Sequence, residues 1–150
     1  MVKKVVTLRP DQGVFDAIEI LLRNRISGAP VLDENSNCLG VFSEKNCMSV
    51  LLSGSYHRLP HTTVGEFCAR HPKTITEDTD ILTIGQIFLR TSVRRLPVLR
   101  EGRLVGIVCR KNILRAMSTY NKRQAAPTTR PPHPLYLSAV DDDRKTLGGL

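Results

Sequence analysis

Ala29-Pro30-Val31-Leu32 and Leu96-Pro97-Val98-Leu99 are the same apolar run with proline in second place, set 67 positions apart (97 − 30). Upstream, Val6-Thr7-Leu8-Arg9-Pro10-Asp11 lies over Lys73-Thr74-Ile75-Thr76-Glu77-Asp78 at the same offset (78 − 11 = 67). Downstream one residue is dropped in a turn, so that Leu39-Gly40-Val41 lies over Val105-Gly106-Ile107 at an offset of 66 (106 − 40). Lys45-Asn46 then meets Lys111-Asn112. Similarity sustained over about forty positions with a single gap marks an internal duplication.

Each copy reads as the same series of elements. A short β-rich lead-in (residues 5–8 and 74–76) runs to an aspartate suited to cap a helix, Asp11 or Asp78. Apolar residues then recur at helical spacing: Val14, Ala17, Ile18, Leu21 and Leu22 in one copy, Ile81, Ile84, Ile87 and Phe88 in the other. Two short hydrophobic strands follow, residues 29–32 with 38–42 and residues 96–99 with 103–108. Their connections, Asp33-Glu34-Asn35-Ser36-Asn37 and Arg100-Glu101-Gly102, are rich in turn formers. A second helix closes each copy, over about residues 44–52 and 111–120. A β-α-β-β-α unit of this size leaves an apolar sheet face that one copy cannot cover. The expectation is therefore an α/β (α+β) fold, with two pseudo-twofold-related units packed sheet to sheet and equivalent clefts at the seam.

The expected divisions are a first unit at 1–53, a linker at 54–63, a second unit at 64–120 and a disordered tail at 121–150. Gly54, Ser55 and Pro60 mark the linker, and Thr63-Val64-Gly65-Glu66-Phe67-Cys68-Ala69 reads as a helical lead-in to the second unit. Four prolines between Pro127 and Pro134, then Asp141-Asp142-Asp143 and Gly148-Gly149, carry no periodic apolar pattern.

Composition narrows the function. No apolar run approaches the ~18 residues a membrane span needs, and Met1-Val2-Lys3-Lys4 leads into a strand-like segment without a cleavage pattern. The expected location is the cytoplasm. Cys38, Cys47, Cys68 and Cys109 form no CxxC pair, which reads as buried reduced thiols and no metal site. The net charge of +8 is concentrated: residues 90–123 hold ten Lys and Arg against one acid, Glu101. That bias favours a polyanion, either a nucleotide phosphate or a nucleic-acid backbone, and a merely solvated basic face is the plain alternative. No Walker loop, HExxH or nucleophile elbow is present, so no catalytic residue is expected. Pro60 separates His57 from His61, and both read as surface loop residues.

Three duplicated segments carry a family resemblance. The first is the strand and helix start at residues 7–11 and 74–78. The second is Arg25-Ile26-Ser27-Gly28-Ala29-Pro30-Val31 with Val93-Arg94-Arg95-Leu96-Pro97-Val98. The third is Gly40-Val41-Phe42-Ser43-Glu44-Lys45-Asn46 with Gly106-Ile107-Val108-Cys109-Arg110-Lys111-Asn112. Over residues 1–120 the chain resembles a tandem pair of CBS domains, often called a Bateman module. The resemblance implies a non-enzymatic sensor that binds an adenosine-type ligand (AMP, ADP, ATP or S-adenosylmethionine) in the clefts between the units. It also implies a homodimer formed through those units and a regulated protein partner.

The candidate ligand residues are Ser43, Asn46, Arg94, Arg95, Pro97, Lys111, Asn112, Thr74 and Pro30. Ser43 and Asn46 would lie together at a helix N-terminus, which favours anions; plain helix capping by Ser43 explains the same residues. Both copies have Asn where the family motif allows Asp, and the second has Cys109 where it has a hydroxyl. Thiols are poor hydrogen-bonding groups. Arg94, Arg95 and Lys111 suit phosphate, although alternation along a strand sends the two arginines to opposite faces. The first copy has Ser27 and Gly28 at the arginine positions, so one occupied cleft is expected rather than two. A nucleic-acid-binding module and a ligand-free dimerisation domain remain the alternatives.

Overall fold

The computed structural model describes residues 3–53 and 61–125. The chain divides into two compact units, one of residues 4–72 with 101–104, the other built on residues 73–100 and from 105 onward. His57 and most of the expected linker and tail lie outside the described residues.

In the first unit Leu8 forms a single parallel bridge to Val31, its N–H donating to Pro30 O at 2.9 Å while Leu32 N–H donates to Leu8 O at 2.9 Å. Helix α1 (Val14–Arg23) buries Val14, Ala17 and Leu21 on one face. Strand β1 (Gly28–Leu32) runs antiparallel to β2 (Cys38–Ser43), with Ala29 opposite Phe42. The turn between them is closed by Asp33, whose Oδ1 accepts from Asn35 N–H (2.8 Å) and Asn37 N–H (2.9 Å). Helix α2 (Glu44–Leu52) follows directly and buries Val50.

The second unit repeats this order. Strand β4 (Ile75–Thr76) runs parallel to β5 (Arg95–Arg100), with Ile75 opposite Val98, as Leu8 is opposite Val31 in the first copy. Helix α4 (Ile81–Arg90), strand β6 (Arg103–Cys109) and helix α5 (Arg110–Ala125) complete it. Glu101 and Gly102 both have positive φ (51° and 79°), the backbone a two-residue hairpin needs. Its core gathers Ile75, Ile81, Ile84, Phe88, Leu96, Val98, Val108, Ile113 and Ala116; each fully buried large aliphatic contributes about 1.5–3 kcal/mol.

Four expectations change. Asp11 and Asp78 do not cap the helices. An extra turn comes first in each copy (Gln12 N–H to Arg9 O, 3.3 Å; Thr79 N–H to Thr76 O, 3.1 Å), so Gly13 and Asp80 are the cap residues. Asp11 instead pairs with Arg9 at 3.1 Å, and Asp78 accepts from the Thr76 hydroxyl.

The segment read as a lead-in to the second unit is built into the first. Helix α3 (Val64–Phe67) is held by Val64 N–H to Gln12 O and Gly65 N–H to Pro10 O, both 2.9 Å, with Val64 fully buried in the first core. Strand β3 (Ala69–Arg70) then pairs antiparallel with β2, so the strand orders are β1-β2-β3 in one sheet and β4-β5-β6 in the other.

Helix α5 continues five residues past Tyr120, to Ala125. Lys122 and Arg123 in its last turn favour the negative end of the helix dipole, and Gln124 Nε2 donates to Tyr120 Oη at 3.1 Å. The four thiols are free but half-buried rather than buried. Burial still raises those of Cys38 and Cys47 above the ordinary thiol value.

Asp80 supplies a pH signature. Its carboxylate accepts from Thr83 Oγ1 (2.6 Å) and Thr83 N–H (2.9 Å), and these bonds hold its pKa below the usual carboxylate value. A folded pKa below the unfolded one stabilises the fold above the unfolded value and loses that effect as pH falls through the folded one. Urea melts should therefore show Asp80→Ala less stable than the parent by a constant margin near neutrality. The margin should shrink below about pH 4; one that is flat to pH 2 would remove the carboxylate's charge from the account.

Candidate ligand-binding junctions

Of the expected ligand residues, Ser43, Asn46, Lys111 and Asn112 lie at two strand–helix junctions, one in each copy. In the first, β2 ends at Ser43 in extended backbone and α2 begins at Glu44. Asn46 Oδ1 accepts from both Ser43 N–H and Ser43 Oγ–H, each at 2.8 Å. Glu44 N–H donates to Ser27 O at 2.9 Å. The S-x-x-N spacing thus works as a capping box, with asparagine in the place usually held by Glu or Gln. Both Ser43 donors are taken up by Asn46 Oδ1.

The second junction repeats half of this. Asn112 Oδ1 accepts from Cys109 N–H at 2.8 Å, so the asparagine again ties the end of its strand to the first helical turn. Cys109 brings no hydroxyl to share that oxygen. Asn112 is 7% exposed, one of only two buried polar residues among those described. Nothing among the described residues accepts from its Nδ2. Buried polar groups are nearly always paired, so an orphan amide is a place to look for a ligand. The sequence reading took both asparagines as acceptors for a ligand hydroxyl. Their carbonyls are already in use, and the groups they leave are N–H donors.

Other candidates divide by burial. Arg94 is exposed and Arg95 half-buried at the start of β5, as alternation requires, and neither has an ion pair among the described residues. Lys111 is exposed in the first turn of α5, which holds no acidic residue. Thr74 is exposed and, one position before the Ile75–Val98 pair, comes level with Pro97. Pro97 and Pro30 are buried in mid-strand.

Two members of the basic stretch are committed elsewhere. Arg100 makes a bidentate pair with Glu77, both bonds 2.7 Å. Arg110 folds back on α4, its guanidinium 6.0 Å from the Phe88 ring centroid and 3.5 Å from Phe88 O. Among the described residues no group of three His, Cys, Asp or Glu side chains converges to hold a metal ion, and no helix is long and apolar enough to cross a membrane.

Comparison with known proteins places this arrangement. CBSX1, a chloroplastic CBS domain-containing protein of Arabidopsis thaliana, is 31% identical over 135 residues, covering 73% of this chain and 57% of that protein. The gamma-3 subunit of 5'-AMP-activated protein kinase of Homo sapiens is 33% identical over 132 residues, covering 79% of this chain and 27% of that one. The chain thus spans little more than half of one relative and about a quarter of the other. The solved structure of Arabidopsis thaliana CBSX2 in complex with AMP superposes with a TM-score of 0.72 at 27% identity, covering 81% of this chain and 94% of that one. A family model for the CBS domain matches twice, at residues 1–53 and 64–119. The duplication read from Pro30 and Pro97 is a pair of such domains, and the chain belongs to the CBS-domain family.

Proposed function

We propose that this chain is a regulatory module without catalytic activity of its own, whose signal is the binding of an adenosine-type nucleotide such as AMP. The observation that carries this is the buried Asn112, its Oδ1 taken by Cys109 N–H and its Nδ2 without an acceptor among the described residues, at a helix start bearing the exposed Lys111 and no acid. Such a position favours a ligand with negatively charged acceptors. The AMP complex of CBSX2 and the likeness to a kinase gamma subunit support the adenosine class; S-adenosylmethionine remains a second ligand to test. The half-buried free thiols fit a reducing compartment, which includes the cytoplasm and also the chloroplast of the CBSX1 name.

Self-association is part of the proposal, and the repeat itself supports it. Exposed apolar residues recur at equivalent positions: Phe15 and Leu22 on α1 match Leu82 and Leu89 on α4, and Met48 and Leu51 on α2 match Leu114 and Met117 on α5. Apolar faces this regular mark surfaces that pair. A nucleic-acid role is weaker, because Arg100 and Arg110 already serve the fold. A regulated protein partner would act on the same module.

Calorimetry with AMP, ADP, ATP and S-adenosylmethionine tests the reading, with sedimentation of the same samples reporting assembly. At a ligand concentration about a hundredfold above Kd the folded state should gain about 2.7 kcal/mol. The absence of both heat and a melting shift at millimolar ligand would sink it.

A further inference from the structure

We propose that the acidic run Asp141-Asp142-Asp143 returns to α5 of the same chain and pairs with Arg115 and Lys122, so that the basic face of this helix has an occupant within its own sequence. The inference goes beyond the nucleotide reading and uses neither strand–helix junction.

Helix α5 carries its charge in a file. Lys111, Arg115, Ser118 and Lys122 stand at i, i+4, i+7 and i+11, which sets them on one side of the helix, and all four are exposed. None of the three cations has an ion-pair partner among the described residues, and α5 itself contains no acid. Like charges four residues apart work against a helix. The fold does not call for them. At the offset of 66 (111 − 45) the same file in α2 reads Lys45, Ser49 and Leu52, with one cation. The sister helix closes its unit without this charge, so the file in α5 points to a partner of opposite sign.

The chain supplies one. After Glu101 the sequence holds no Asp or Glu except Asp141, Asp142 and Asp143. Residues 126–140 form a tether of 15 residues (140 − 125) that begins where α5 ends. A tether of that length spans roughly 20 Å as a coil. Measured back from Ala125 along the helix, Lys122 lies about 4.5 Å away and Arg115 about 15 Å, so both are within reach. Three successive residues of extended chain cover about 7 Å. The two cations are about 10 Å apart along the axis, and their long side chains close the difference. Arg144 and Lys145 follow the acids, so the attraction acts at contact and not from afar. Exposed ion pairs are worth only about two- to fivefold each. Tethering raises the effective concentration into roughly the millimolar range, which makes such weak pairs sufficient. Apolar residues agree with the charges. Leu135-Tyr136-Leu137 precede the acids, and Leu114 and Met117, 63% and 52% exposed, flank the file. Those two belong to the face assigned above to self-association, which makes the returning segment and a second copy alternative occupants.

The test compares full-length protein with the triple variant Asp141→Asn, Asp142→Asn, Asp143→Asn, whose changes lie outside both cores. In about 50 mM salt the amide resonances of residues 114–123 should differ between the two, and the difference should fall by about half or more at 0.5 M salt. A carbodiimide should couple a tail aspartate of the parent to Lys122. In an equal mixture of light and heavy-isotope chains, the coupled peptides should come from one chain. Arg115→Glu with Lys122→Glu should abolish the amide differences, and adding Asp141→Lys, Asp142→Lys and Asp143→Lys should restore them with the signs exchanged. The proposal is overturned if no α5 amide moves, if the shifts ignore salt, or if the exchanged charges restore nothing. Coupling between light and heavy chains also overturns it, because the occupant is then a second copy. Each of these failures leaves the nucleotide reading standing, since that reading uses neither Arg115 nor Lys122; absence of nucleotide binding, in turn, leaves the docking intact.

Discussion

Replacing Gly40 by alanine should destabilise the first unit by about 3–5 kcal/mol, from overpacking together with lost ladder hydrogen bonds. A Cβ there would sit 2.4 Å from Ala69 O and 3.0 Å from Cys68 Sγ. The carbonyl belongs to β3, which pairs Ala69 with Val41 and Arg70 with Gly40 itself, so relief requires the strands to part. Urea unfolding measures the loss, and amide exchange should show residues 69 and 70 released. Gly85→Ala is the control: nothing lies within 4 Å of a Cβ at that position inside α4, and the same substitution should stabilise by about 0.5–1 kcal/mol. Equal effects at the two glycines would refute the close approach.

Leu96→Ala should cost about 3 kcal/mol in the second unit, the middle of the range for an aliphatic truncated in a packed core. Leu96 is fully buried beside Val98 and Val108. Its counterpart in the first copy is already alanine, Ala29, which faces Phe42 across the β1–β2 pair, and Phe42 is the counterpart of Val108. One copy therefore packs small against large where the other uses two medium side chains. Val108→Phe alone should overpack, at about 1–3 kcal/mol. The double variant should recover most of both losses, because the exchanged volume nearly balances; simple additivity of the two costs would contradict this pairing.

Much of the architecture could be read from the chain because its strongest signals are local. The Leu8–Val31 and Ile75–Val98 pairs lie at the same offset of 67 that the proline segments gave, and helical spacing located α1, α2 and α4. Cap positions were harder to place. Asp78 and Asp80 are both competent, and the choice fell to a Thr76–Thr79 turn that composition does not announce. The docking of α3 and β3 onto the first unit was invisible to repeat alignment, because duplication reports ancestry of segments and not which sheet they join. At the junctions, residue types suggested a ligand, but their hydrogen bonding needed coordinates. The S-x-x-N spacing could have warned that Asn46 caps its own helix. No pattern in the sequence shows that Asn112 is nearly buried while Asn46 is only partly so.

The attachment of β3 to β2 also sets an order of events during synthesis. When Ser43 leaves the ribosome the first repeat's second strand has one neighbour, β1, and its other edge stays open until Ala69 and Arg70 emerge. That is a wait of roughly one to five seconds at ordinary elongation rates. An open strand edge beside an incomplete core invites pairing with another chain. The nascent protein is thus most exposed to misassembly while residues 44–70 are being made, and a pause in translation within that stretch should lower the yield of folded product more than one placed after it.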